Sequence, residues 1–311
     1  MLGELQTWIF EHAVEPLLYA TNQMALAEDA YDGIEAVLLG AVEIALLLIL
    51  LRPLERWRPL EHWSDMRPVR TDVIYTLLHR LGGFALILYF SVRPLLLWLD
   101  GELHLRGIAP APLESWVPGL ADHPAASFLV YLVILDFADY WRHRLQHRLE
   151  WWWALHALHH SQRQMSIWTD DRNHFLDDFI AAFWFAAVAL AIGVPPSQFL
   201  LLAMTTRLVQ SLAHINSRIR FGWLGERLLV SPSYHRRHHA MGYGHEGRAR
   251  GCNFATLFPI WDLLFGTADF SEHYDPTGIR DQLDGRDYGE GLLRQQWLGF
   301  TRLARALLPS R

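Results

Sequence analysis

The chain contains no lysine: all 27 of its basic residues are arginine. A phosphate-binding P-loop, which needs a lysine after its glycines, is therefore excluded. Cysteine is almost as scarce. The single Cys252 excludes an internal disulfide and any cysteine-based zinc or iron–sulfur site. No C-x-x-C module is present either, so the sequence offers no electron-transfer centre of its own. Net charge of −6 gives no reason to expect nucleic acid as a partner. The N-terminal stretch has acidic residues and no basic region ahead of an apolar one, so it does not read as a cleaved signal peptide. Strand-like alternation is missing throughout. The only internal echo is a pair of histidine words, "HALHH" at 156–160 and "HRRHH" at 235–239.

What the chain does have is apolar length. Ile34 to Leu51 is an apolar run interrupted by Glu35 and Glu43, and Val73 to Leu99 is a second. Ala125 to Ala138 is a third, and Phe179 to Val194 with Phe199 to Ala213 reads as a hairpin around "PPS". A spanning helix needs roughly 20 residues to cross about 30 Å of hydrocarbon, so the hairpin arms are marginal in length. Residues 5–19 read as an interfacial amphipathic helix. Arginine is distributed unevenly between the runs. The segment 52–70 carries Arg52, Arg56, Arg58, Arg67 and Arg70, whereas 100–123 carries only Arg106. Residues 142–176 and 214–311 are again arginine-rich, and residues 1–33 have none. By the positive-inside rule the rich segments are cytoplasmic and the N-terminus is outside.

Both histidine words then fall on the cytoplasmic side. Positions i, i+3 and i+4 share a helical face, so each word is expected to aim its imidazoles in one direction. Upstream, "HRLQH" supplies His143 and His147 at i, i+4, with Asp136 and Tyr140 on the same face one and two turns earlier. His156, His159, His160, His235, His238 and His239 bring the number to eight, and His174 and His214 at the bases of the hairpin make ten. One tetrahedral ion takes four ligands, so this set suits a pair of metal ions. Imidazole serves zinc, iron, copper and nickel, and ligand type alone leaves the metal open. Asp136 is expected to accept the outer N–H of a ligand histidine. His12, His62, His104, His123 and His273 read as surface or interfacial, His79 as a polar helix end, and His245 as either surface or site. "GYGHEG" satisfies a dinucleotide-binding glycine pattern but follows a histidine word rather than a strand, and is rejected.

At these residues the chain resembles the fatty acid hydroxylase and sterol desaturase superfamily of membrane di-iron oxygenases. The three words occur in that family's order, and "DFADYWRHR", "LAHINS" and "NFATLFPIWDLLFGT" are similar to its flanking segments, the last of these containing Asn253. The resemblance runs from about Arg52 to Thr267. Two positions depart from the pattern: Cys252 stands where an acidic residue is common, and "RNHFLD" lacks a following proline.

The resemblance implies an all-α integral membrane bundle with its histidine-rich di-metal site at the cytoplasmic helix ends. It divides into residues 1–123 (interfacial helix and first hairpin), 124–270 (catalytic domain) and 271–311 (a cytoplasmic tail). It further implies two Fe2+ ions and O2 acting on a C–H bond of a lipid. Hydroxylation is the preferred outcome, with desaturation or ether-lipid cleavage as the alternatives. Electrons would come from a separate carrier such as a ferredoxin, cytochrome b5 or a reductase. Asp136, Tyr140 and Asn253 are expected to take part beside the metal ligands. The setting implied is a multi-pass protein of a bacterial inner membrane. A membrane zinc-transport or metal-sensing protein is the non-enzymatic alternative.

Overall fold

The computed structural model describes residues 2–63, 65–108, 111–242 and 250–308, apart from the side chains of Pro196 and Ser197. His245, Gly244, Gly247 and Ser64 lie outside the described residues. Within them the chain is helical, and the only β feature is one bridge between Ala240 and Thr277.

α1 (Leu2–Ile9) and α2 (Glu15–Ala20) are joined through a π-helical turn, and α3 (Ala27–Leu46) continues through another into α4 (Arg52–Trp57). The stretch Met24–Trp57 is long and apolar enough to cross a membrane. α5 (Arg67–Arg80) and α6 (Gly83–Ser91) meet at a 52° bend and together pass the same test. Gly82 allows that bend, because it takes a φ of 84° that a side chain would oppose. α7 (Arg93–Leu105) leads to α8 (Pro124–Arg148), the next candidate span, and then α9 (Glu150–His160). α10 (Phe175–Ile192) is a candidate span with only 6% of its most apolar stretch buried. That leaves an apolar surface suited to lipid. α11 (Pro196–His214) completes the hairpin but is not among the helices that pass the spanning test. α12 (Gly222–Leu228), α13 (Pro232–His238), α14 (Ile260–Phe265) and α15 (Leu292–Leu307) follow.

Helix ends are set by local chemistry. Proline opens α5, α8, α11 and α13, where its missing N–H would have no intrahelical partner. Ser231 caps α13 by accepting from the Tyr234 amide at 3.1 Å. Gly193 ends α10 in the left-handed region with a φ of 62°.

The polar core gathers at one end of the bundle. Gly40 of α3 lies so close to α5 that a Cβ there would come within 1.6 Å of the Arg80 carbonyl. That approach seats Glu43, one turn on, against Arg80. The buried Arg80 also meets Asp171 at 2.8 Å, Asp170 at 3.3 Å and Ser211 at 2.7 Å. Arg172 pairs with buried Asp72 at 2.7 Å. The loop between α9 and α10 is thus riveted to α3, α5 and α11. The last residues of α4 reach the same end, where Glu55 accepts from the amides of Ile167 and Asn216 at 3.1 Å each.

Candidate metal centre

α8 ends, α9 begins, α11 ends and α13 lies within this polar end. Among the described residues, nine histidines converge there as two groups. His143, His147, His156, His160 and His238 form the first, and His159, His214, His235 and His239 form the second. All nine are buried. In each group the ring nitrogens lie within 4.8 Å of one another.

The words therefore do not aim three rings in one direction. "HALHH" sends His156 and His160 to the first group and His159 to the second, and "HRRHH" sends His238 to the first and His235 and His239 to the second. The reason is helical geometry. Adjacent residues are about 100° apart around a helix, so the doubled histidine of each word straddles two sites. The pairs at i, i+4 stay together, and each word serves both groups. The seam is the stacked pair His160 and His239, with ring centroids 4.3 Å apart.

The second group is already at ligand spacing. Nε2 of His214 stands 3.2 Å from that of His159 and 2.9 Å from that of His235, which is 3.1 Å from Nε2 of His239. Nitrogens held about 2.0–2.1 Å from one ion, the usual distance for zinc, stand about 2.8 to 3.4 Å apart around it, from right-angled to tetrahedral geometry. In the first group three of the five rings have a partner at the outward nitrogen. Nδ1 of His143 meets the Phe254 carbonyl at 2.8 Å, and Nδ1 of His238 meets the Cys252 carbonyl at 2.7 Å. Nδ1 of His156 faces Asp177 at 3.3 Å. Their Nε2 atoms, with that of His160, are buried and lack a protein partner. Buried polar atoms need a partner, and inward nitrogens with a fixed tautomer are what a metal ion would supply one to.

Electrostatics agree. Burial, reinforced by neighbouring imidazoles, pushes His156, His160, His235 and His239 well below the ordinary histidine range. His159 shifts the same way from burial and the nearby His214 and His238. Burial takes His238 down to about 4, against the opposing pull of the Cys252 carbonyl. The rings are neutral, the form that binds metal.

His174 does not join either group. Its Nε2 lies 2.9 Å from the Gln296 carbonyl, and its Nδ1 caps α10 by accepting from the Leu176 amide at 3.2 Å. Both nitrogens are engaged, and the structure does not bring His174, expected as a ligand, together with the other nine. Asp136 is also placed differently. It accepts from Thr256 Oγ1 at 3.0 Å, the Leu257 and Phe258 amides at 3.0 and 3.1 Å, and the Trp261 indole at 2.8 Å. It fixes the loop after Phe254 rather than a histidine. Tyr140 bonds Thr267 at 3.1 Å and stacks on Phe265. Asn253, at a φ of 56°, ties the carbonyls of Tyr234 and Asp269 together at 2.9 Å each. Asp262 adds the Phe254 and Ala255 amides and the Tyr234 hydroxyl. These residues hold the two backbone carbonyls that orient His143 and His238.

Two carboxylates that sequence reasoning missed do approach the rings. Asp177 also accepts from Gln146 at 2.8 Å and from the Trp152 indole at 2.6 Å. Asp170 lies 3.5 Å from Nδ1 of His214, whose closer partner is the Gln210 carbonyl at 2.7 Å. The available signal was an acidic pair opening an apolar helix, "FLDDF", and a second pair beside "DDRNH".

A cavity of about 550 Å³ connects this centre to the apolar helices. Its wall includes apolar Phe84, Leu88, Ala182, Phe185 and Leu202 together with His143, His156, His159, His214 and His235.

Residues 128–267 match the fatty acid hydroxylase family profile. The chain is 34% identical over 149 residues to an alkylglycerol monooxygenase of Xenopus tropicalis, covering 47% of this chain and 31% of that protein. It is 31% identical over 174 residues to the ornithine lipid hydroxylase OlsE of Rhizobium tropici, covering 56% and 50% respectively. With methylsterol monooxygenase 2-2 of Arabidopsis thaliana it shares 28% over 188 residues, covering 58% and 66%. The chain thus spans from about a third to two thirds of the length of these relatives. No solved structure matches it significantly.

Proposed function

We propose that the chain, whose residues 128–267 match the fatty acid hydroxylase family profile, is a membrane-bound, non-haem di-iron oxygenase that hydroxylates a lipid C–H bond. The observation that carries this reading is the cavity, whose wall combines apolar side chains of the candidate spans with histidines of both groups.

The chain's own residues do most of the work of positioning. The two histidine groups fit a pair of ions, because their inward nitrogens are neutral, buried and convergent. Bound iron would supply O2 activation and the power to oxidise an unactivated C–H bond. The wall of α6, α10 and α11 would receive an alkyl chain and exclude water from the reacting carbon. Asp177 and the carbonyls of Phe254 and Cys252 hold hydrogens on the outer nitrogens, keeping the inner ones free for metal. In the overall conversion C–H becomes C–OH, one oxygen atom leaves as water, and two electrons and two protons are consumed. The electrons would come from an external carrier, a ferredoxin, cytochrome b5 or reductase; the single cysteine of this sequence is too few for an iron–sulfur centre.

The end of α4 meets Ile167 and Asn216, and Glu61 just after it pairs with Arg236 inside the second histidine word, so the arginine-rich 52–70 segment touches the histidine region. That supports a cytoplasmic active site in a bacterial inner membrane, beside such a carrier. Ether-lipid oxidation is a second reading, favoured by the alkylglycerol monooxygenase likeness. Hydroxylation beside an ether oxygen would split the lipid. Desaturation remains a further outcome on the same scaffold. Zinc transport fits less well, because the ligands cluster at helix ends and not near the bilayer midplane.

The test is conversion of membrane lipids by the purified, iron-loaded protein under ¹⁸O2 with a reductase system. One labelled oxygen per product lipid supports hydroxylation. A chain that carries zinc and consumes no O2 with any lipid overturns the enzymatic reading.

A further inference from the structure

α15 is amphipathic in an inverted sense. Its buried face carries Gln295, Gln296 and Gly299, while Leu293, Trp297, Phe300 and Leu307 are 81%, 68%, 46% and 65% exposed. These four, with exposed Ala304, fall at i, i+4, i+7, i+11 and i+14, a single stripe along the helix. Exposed Arg294 and Arg305 flank one edge of it.

The buried polar face fixes the height of the helix in the bundle. Gln296 accepts from the Phe175 amide at 2.8 Å and donates to the Asn173 carbonyl at 2.9 Å and the Tyr75 hydroxyl at 3.0 Å. Phe175 is the first residue of the candidate span α10, and Tyr75 lies on the bent span α5–α6. At Gly299 a Cβ would come within 2.2 Å of the His174 ring, so the contact is as close as a backbone allows. α15 is therefore held level with the mouth of two spans, at the end of the bundle where the histidines lie.

We propose that α15 is an interfacial helix, its apolar stripe seated in the headgroup–acyl boundary of the membrane that the spans cross, with Arg294 and Arg305 facing anionic lipid. An exposed apolar stripe with a basic edge is the signature of such helices. The position of the stripe at the start of α10 makes the bilayer its continuous neighbour. A C-terminal segment expected as a cytoplasmic tail thereby becomes a second attachment that braces α9, against which α15 packs, at a set depth.

The test uses the full chain with Cys252→Ser, a change that keeps the backbone carbonyl holding His238. Trp297→Cys and, separately, Leu293→Cys are labelled with a polarity-sensitive fluorophore. The protein is reconstituted in phosphatidylcholine vesicles with or without phosphatidylglycerol. Both labels are expected to emit to the blue of a label at Asp284→Cys in an exposed polar loop, and to be quenched several-fold more by brominated lipid. Arg294→Gln with Arg305→Gln should abolish any extra quenching that phosphatidylglycerol brings. Labels at 293 and 297 as open to an aqueous quencher as the one at 284 would overturn the proposal. So would label-to-label energy transfer that rises with protein density, because the stripe would then be covered by a second copy.

Discussion

Oδ2 of Asp177, in the first turn of α10, lies 3.3 Å from Nδ1 of His156 on α9, 21 residues earlier in the chain. The same carboxylate takes hydrogens from Gln146 and Trp152. It therefore joins α8, α9 and α10 at a ring whose other nitrogen faces the first histidine group.

Asp177→Asn should weaken metal binding on the order of 10–100-fold with the fold retained, as loss of a partner behind a ligand imidazole commonly does. Metal titration of the purified variant checks this. Asp136→Asn should behave differently, because it sets an amide N–H₂ against the donors of Phe258 and Trp261. A loss of about 1–3 kcal/mol of stability is expected, read as a lower thermal midpoint, with the affinity for metal at saturation little changed.

His159→Ala and His160→Ala are neighbours that should damage different groups. Each variant is expected to lose activity and to fall toward half of the wild-type metal content. The spectroscopic signature of the remaining ion should differ between them. Identical spectra for the two variants would argue against the split.

Arg80→Leu should destabilise the protein by about 3–5 kcal/mol, since it strands Asp170 and Asp171 in a buried setting and leaves Glu43 with Arg207 as its remaining cation. Poor yield of folded protein and a lowered melting temperature are the expected readouts. Removing the opposing charges together, as Arg80→Leu with Glu43→Leu and Asp171→Leu, should recover part of the loss.

Topology can be read with single cysteines in a Cys252→Ser background. Exposed Ser115 and His62 lie in the arginine-poor and arginine-rich connections. An impermeant thiol reagent on intact cells should label Ser115→Cys and spare His62→Cys until the membrane is opened. The reverse pattern would move the histidines to the outer face.

The apolar runs and the order of the histidine words were legible because both are local patterns of the chain. Helical spacing brought His143 with His147, and His156 with His160, without any tertiary knowledge. The allocation of His159 and His238 was not legible from single words, because it depends on how α9 and α13 face each other across the seam. The place of His174 was hidden for a similar reason. Its neighbours in sequence resemble a ligand segment, but the Gln296 carbonyl, 122 residues away, takes its Nε2. Asp177 was hidden as an ordinary acidic residue in the first turn of an apolar helix. The role of α15 could not be seen until its glutamines were found to be the buried side.

The central claim is that nine histidines hold two metal ions in adjacent groups. Its most direct test is elemental analysis of the purified full-length protein together with Mössbauer spectroscopy after growth on ⁵⁷Fe. The account predicts two irons per chain in two distinguishable nitrogen-rich environments, both lost when the histidines of both groups are replaced. A single ion per chain, or two ions that survive the loss of His159, His235 and His239 together, would contradict it.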